Sequence, residues 1–108
     1  MEATTVKLVV YVPENHADAV RTALGEAGAG TIGNYTHCSF SSRGVGRYLP
    51  GEDAHPSIGE VGKYEEVPEE RIEVTCESAI LQQVVAAVKA VHPYEEVAFD
   101  VYPLLTQW

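Results

Sequence analysis

His92, Glu95 and Glu96 stand within five residues of one another, separated by a proline and a tyrosine. An imidazole beside two carboxylates is a donor set for a divalent cation: imidazole suits a transition metal, and paired glutamates suit calcium or magnesium. His37 is the second imidazole such a metal site would draw on, from the same chain or from a neighbouring subunit of an oligomer. The competing reading is a turn in which Pro93 and Tyr94 pack while the acids are solvated. A second constellation lies at Ser41, Ser42, Arg43, Gly44, Gly46 and Arg47, where two hydroxyls, two guanidinium groups and flexible backbone suit a phosphate or carboxylate. It completes no P-loop or dinucleotide pattern, and Arg43-Gly44 reads equally as a tight hairpin turn. Arg43 and Arg47, with Glu60, Lys63 and Tyr94, are the candidate ligand-binding residues. Acidic pairs at Glu52-Asp53, Glu65-Glu66 and Glu69-Glu70 read either as a solvated lid or as a loop that orders around a cation. His37 beside Cys38 fails as a base and nucleophile, because neighbours on a strand point to opposite faces, and Cys38 is expected in the core. No catalytic residue is assigned.

The elements that must hold these groups follow from periodicity. Val6, Leu8, Val10 and Val12 alternate up to Pro13, giving a first strand whose other face, with Val9 and Tyr11, is also apolar. Ala17, Val20, Ala23, Leu24 and Ala27 fall at helical spacing within about residues 14 to 28, and Gly28 and Gly30 stop that helix. Alternation from Tyr35 to Arg43 predicts a second strand with Thr36, Cys38 and Phe40 on one side. A turn at Arg43-Gly44 then leads to a short return strand from Val45 to Leu49. From Pro50 to about Glu70 the pattern dissolves into a loop too long for a passive connection. Ile72, Val74 and Cys76 restore a strand, Ser78 offers an N-cap, and Leu81, Val84, Val85, Val88 and Val91 form one helical stripe. Pro93 ends that helix, and Val97, Phe99 and Val101 begin the last strand. The order predicts an α+β ferredoxin-like βαββαβ sandwich with an extra hairpin and a long central loop. With both helices on one sheet face, Val9, Tyr11, Ala98 and Tyr102 are left on the other. An apolar patch there predicts a homo-oligomer.

At 108 residues the chain fits one domain, taken as residues 1–108, large enough to bury a core without disulfides or metal. The formal charge of −9, from 16 Asp and Glu against 7 Lys and Arg, disfavours a nucleic-acid backbone and favours cations or basic partners. No stretch has the apolar length of a membrane span and the start lacks a signal-peptide pattern, so a cytoplasmic protein is expected. Two distant cysteines suit reduced core residues.

Three stretches carry a resemblance: Gly-Asn-Tyr-Thr-His-Cys-Ser-Phe-Ser at 33–41, Ile-Gly-Glu-Val-Gly-Lys at 58–63, and His-Pro-Tyr-Glu-Glu-Val-Ala-Phe-Asp-Val-Tyr-Pro-Leu at 92–104. Together with Gly44-Val45-Gly46-Arg47 they resemble the inserted domain of the Nif-three-like, or YqfO, family over roughly residues 5 to 105. That insert is similar to the CutA and PII trimers. The flanking halves that hold the family's dinuclear metal site have no counterpart here, so its hydrolase or cyclohydrolase label is not carried over. The resemblance implies a free-standing insert, a trimer as the expected assembly, and a non-catalytic binding or sensor role toward a divalent metal ion or small ligand at loop or intersubunit sites. The alternatives are a module that docks a larger partner, using an apolar tail of Leu104, Leu105 and Trp108, and a small hydrolase.

Overall fold

The structure, a computed structural model, describes residues 3–105. Strand β1 (Thr5–Pro13) passes through a short 3₁₀ turn into helix α1 (Ala17–Glu26); β2 (Phe40–Tyr48) and β3 (Glu65–Glu77) follow, then α2 (Leu81–Val91) and β4 (Phe99–Pro103). The four strands are antiparallel in the order β2-β3-β1-β4, with Leu8 of β1 opposite Val74 of β3 and Val101 of β4. This is the ferredoxin-like topology that the element order predicts. One sheet face contributes Val6, Leu8, Val10, Val12, Ile72, Val74 and Cys76 to the core, and the helices cover it with Ala17, Val20, Leu24, Val84 and Val88. Among the described residues no helix is long and apolar enough to cross a membrane.

Helix α1 stops where the sequence places its glycines. Gly28 takes φ +105°, which lets its N–H reach the Gly25 carbonyl at 3.1 Å and the Ala29 N–H reach that of Leu24 at 3.0 Å. These two bonds are a Schellman cap, closed by the buried Ala29. Helix α2 ends ahead of Pro93, with the His92 N–H on the Val88 carbonyl. Ser78 is not its cap: the hydroxyl donates to the Ala3 carbonyl at 2.6 Å, and a 3₁₀ turn over Ser78–Ile80 leads into the helix.

The middle of the chain departs from the expected pattern. Residues 40–48 form one unbroken strand along β3, with Gly44 opposite Glu69 and Gly46 opposite Val67, so the Arg43-Gly44 hairpin and its return strand do not exist. Residues 31–39 are irregular, pinned by paired bonds between Ile32 and Tyr35 and by the Cys38 N–H on the Gly30 carbonyl. His37 has φ +59° there, and Cys38 is half-buried rather than in the core. The connection after β2 covers 49–64. Glu65, Glu66, Glu69 and Glu70 are therefore strand residues, and Pro68 sits just beyond the last β1–β3 pair, Pro13 with Glu69.

On the sheet face away from the helices, Val9 is completely buried within a single chain. Its cross-strand partners are Glu73 and Asp100. Beside it Arg71 donates to the Tyr11 hydroxyl at 3.0 Å and to Glu73 at 3.2 Å, while that hydroxyl donates to Asp100 at 3.3 Å. The expected apolar patch is thus a polar and aromatic network around one valine. Leu104 is tied by its N–H to the Thr5 carbonyl, Leu105 is 91% exposed, and Trp108 lies outside the described residues.

Candidate functional site

The helix stop at Pro93 folds His92 back on the central strand. Its Nδ1 accepts the Tyr94 N–H at 3.1 Å, so the ring proton lies on Nε2, which donates to the Tyr11 carbonyl at 2.7 Å. The side chain is buried, and desolvation holds its pKa below the usual histidine value against the pull of that carbonyl and of Glu69. With both nitrogens engaged, His92 offers no lone pair to a metal.

Tyr94 is placed by this turn so that its hydroxyl donates to Glu69 Oε2 at 2.7 Å. Burial first, then the bond to the Glu69 carboxylate, push the phenol far above its ordinary pKa, so it stays a donor. Its ring meets that of Tyr48 edge-on, with centroids 5.7 Å apart. Glu69 comes from β3, is only 8% exposed, and lies across Gly46, where any Cβ would overlap its carboxylate. A glycine inside a strand here answers a close approach from the neighbouring strand, not a turn.

Residues 49–64 close over this corner. The Tyr48 hydroxyl donates to the Ile58 carbonyl at 2.7 Å, the Gly62 N–H to the Pro50 carbonyl at 2.9 Å, and the His55 N–H to Glu95 Oε1 at 3.0 Å. The result is a pocket of about 360 Å³ between Gly46–Gly51, Ala54, Pro56–Ile58, Glu69 and Tyr94–Glu96.

The pocket gathers Arg47, Tyr94, Glu95 and Glu96 from the sequence-derived candidates. The others lie elsewhere or are paired. Arg43 is exposed and reaches Glu14 at 3.8 Å; Glu60 and Lys63 pair with each other at 3.0 Å; His37 packs at Gly25 and bonds the Thr36 hydroxyl. The set His37, His92, Glu95 and Glu96 is therefore not assembled within one chain. Among the described residues, no three His, Cys, Asp or Glu side chains group as around a metal ion. Tyr48 escapes sequence reasoning, and Glu69 figures there only as one of an acidic pair on a loop, not as a buried strand residue. No apolar period marks Glu69: Val67 and Ile72 stand five apart, out of phase, across a run of proline and charged residues.

No family model matches the chain. A Bacillus subtilis (strain 168) protein named GTP cyclohydrolase 1 type 2 homolog is 51% identical over 98 residues, 91% of this chain and 26% of that protein. The solved structure of a Bacillus cereus protein related to NIF3 superposes with a TM-score of 0.84 at 47% identity, covering 98% of this chain and 27% of that one. The periplasmic divalent cation tolerance protein CutA of Archaeoglobus fulgidus superposes with a TM-score of 0.71 at 19% identity, covering 96% and 87%, a likeness of fold alone. The chain spans about a quarter of the length of the curated relatives it matches.

Proposed function

We propose, from the premise that this chain is a relative of the segment carried within the Nif-three-like (YqfO) proteins, that it is a non-catalytic, homo-oligomeric binding module taking a small ligand beneath residues 49–64. The observation that carries this reading is the pocket: about 360 Å³, with mainly apolar walls, a buried carboxylate and two tyrosines. That combination of volume, apolar lining and a few convergent polar groups is the usual form of a small-molecule site.

Catalysis finds less support in the same geometry. His92 has no free nitrogen with which to act as a base, and Cys76 is in the core with its thiol pushed up by burial. The cyclohydrolase wording belongs to relatives whose length this chain spans only in part. Assembly through the sheet face away from the helices is supported by Phe40 and Tyr102, which remain exposed there beside the Arg71 network. A trimer in the cytoplasm, with both cysteines reduced, is the form this proposal takes. A divalent ion would have to use Glu95 and Glu96 with water or a neighbouring subunit.

A thermal-shift panel of divalent ions, nucleotides, amino acids and amines, run beside light scattering, tests the reading. A ligand at 100 times its Kd adds about 2.7 kcal/mol of stability, readily seen in melting. At least one small molecule should stabilise the chain, and Ala54→Trp, which fills the pocket, should remove the effect. A panel without a stabiliser, or stabilisation untouched by Ala54→Trp, sinks the pocket reading.

A further inference from the structure

We infer that this pocket selects a small organic cation, a guanidinium or primary ammonium on a short apolar stem, and that Glu69 is its anchor. The inference rests on the binding reading above and adds the chemical class of the ligand. Three carboxylates line the pocket, Glu69, Glu95 and Glu96, against one guanidinium, Arg47, which is held by Glu66 at 3.3 Å. Glu95 already accepts the His55 N–H. Glu69 is different in kind: more than nine-tenths buried, it has no lysine or arginine partner among the described residues.

Its two oxygens are unequal. Oε2 takes the Tyr94 hydroxyl, whereas Oε1 accepts no hydrogen bond from the described residues. No fully enclosed side-chain polar atom among those residues lacks a partner, so Oε1 is not fully enclosed, and it lies against Gly46, which lines the pocket with it. A carboxylate largely removed from water, without a countercharge, is costly to the fold, and a cation with N–H donors supplies both the charge and the missing bond. Leu49, Pro50, Ile58 and Ala98 provide an apolar wall for a stem, with the rings of Tyr48 and Tyr94 beside them. An anion would meet three like charges. A bare metal ion would need several oxygens converging on one point, a grouping that the described residues do not form.

The test compares N-butylguanidine with its neutral isostere N-butylurea and with inorganic phosphate, by calorimetric titration and amide NMR shifts on the intact chain. The guanidine should bind at least about tenfold tighter than the urea, a difference of about 1.4 kcal/mol. Its shifts should centre on residues 46–51 and 94–98, and Glu69→Gln should erase the preference. Equal binding of guanidine and urea, a preference for phosphate, or a guanidine preference that survives Glu69→Gln overturns the cation inference while leaving the pocket reading intact. Shifts outside the pocket, or no binding by any probe, overturn the cation inference as well; the pocket reading then stands or falls with the Ala54→Trp panel. Should Glu69→Gln fail to fold, the guanidine-to-urea ratio on the parent chain still decides.

Discussion

Protonating Nδ1 of His92 would remove the acceptor of the Tyr94 N–H and place a charge in a buried site. Its folded pKa is lowered from 6.5, chiefly by burial, so between the two values the unfolded chain binds more protons than the folded one. The histidine's contribution to stability is therefore fully present above about pH 6.5 and lost as the pH falls through the folded value. Histidine-selective NMR titration should find His92 titrating below 6.5 with its proton on Nε2, and a value above 6.5 would refute the burial argument. Replacing it by phenylalanine removes both bonds and should cost about 1–3 kcal/mol in denaturant unfolding. The two cysteines differ in the same physical terms: half-buried Cys38 should react with a thiol reagent in the folded protein, and Cys76 only at the rate of unfolding. The sequence shows that the His-Pro-Tyr-Glu-Glu run turns the chain, because proline chemistry is local. It does not show that the imidazole is consumed by two backbone groups, since one of them, the Tyr11 carbonyl, is 81 residues away.

Elements that pack apolar side chains on the core are legible, edge strand β4 among them through Phe99, and edge strand β2 is not. β1, the second half of β3 and both helices announce themselves by apolar periodicity, because each packs one side into the core. β2 is at the sheet edge with no residue fully buried, so no hydrophobic period marks where it begins. The strand expected at 35–43 holds only from Phe40 onward; residues 35–39 are irregular although they alternate in sequence. Likewise the acids of 65–70 looked like loop although Glu70 serves the helix layer, accepting from Arg21 at 2.6 Å, and Glu69 serves the pocket. Two glycines test these assignments. Gly28→Ala forces a side chain into φ +105° and should destabilise the protein by about 1 kcal/mol, read as a lower denaturation midpoint with unchanged slope. Gly46→Ala, in an ordinary strand conformation, should displace the Glu69 carboxylate and break the Tyr94 bond, seen as a downward shift of the tyrosine's titration toward its ordinary range.

Across the whole molecule, the sheet face away from the helices answers to charge differently at its buried centre and at its exposed margin. Val9→Asp would bury a carboxylate between Glu73 and Asp100 and should cost roughly 2–4 kcal/mol of folding stability whatever the assembly. Tyr102→Glu alters a side chain that is 44% exposed and should lower the mass seen in light scattering while leaving the melting of the isolated chain nearly unchanged. If Tyr102→Glu keeps the parent mass, the proposed assembly through this face is wrong. The arrangement of the outer strands has one more consequence. Val6 of β1 pairs with Pro103 of β4, and the Leu104 N–H meets the Thr5 carbonyl, so the chain enters and leaves the sheet at neighbouring points. Antiparallel partners sit about 5 Å apart, close enough to bridge a surface turn of another protein without prising it open. A unit with so narrow a footprint should tolerate being spliced into a host through linkers at Thr5 and Leu104, its melting temperature in the fusion staying near that of the separate chain.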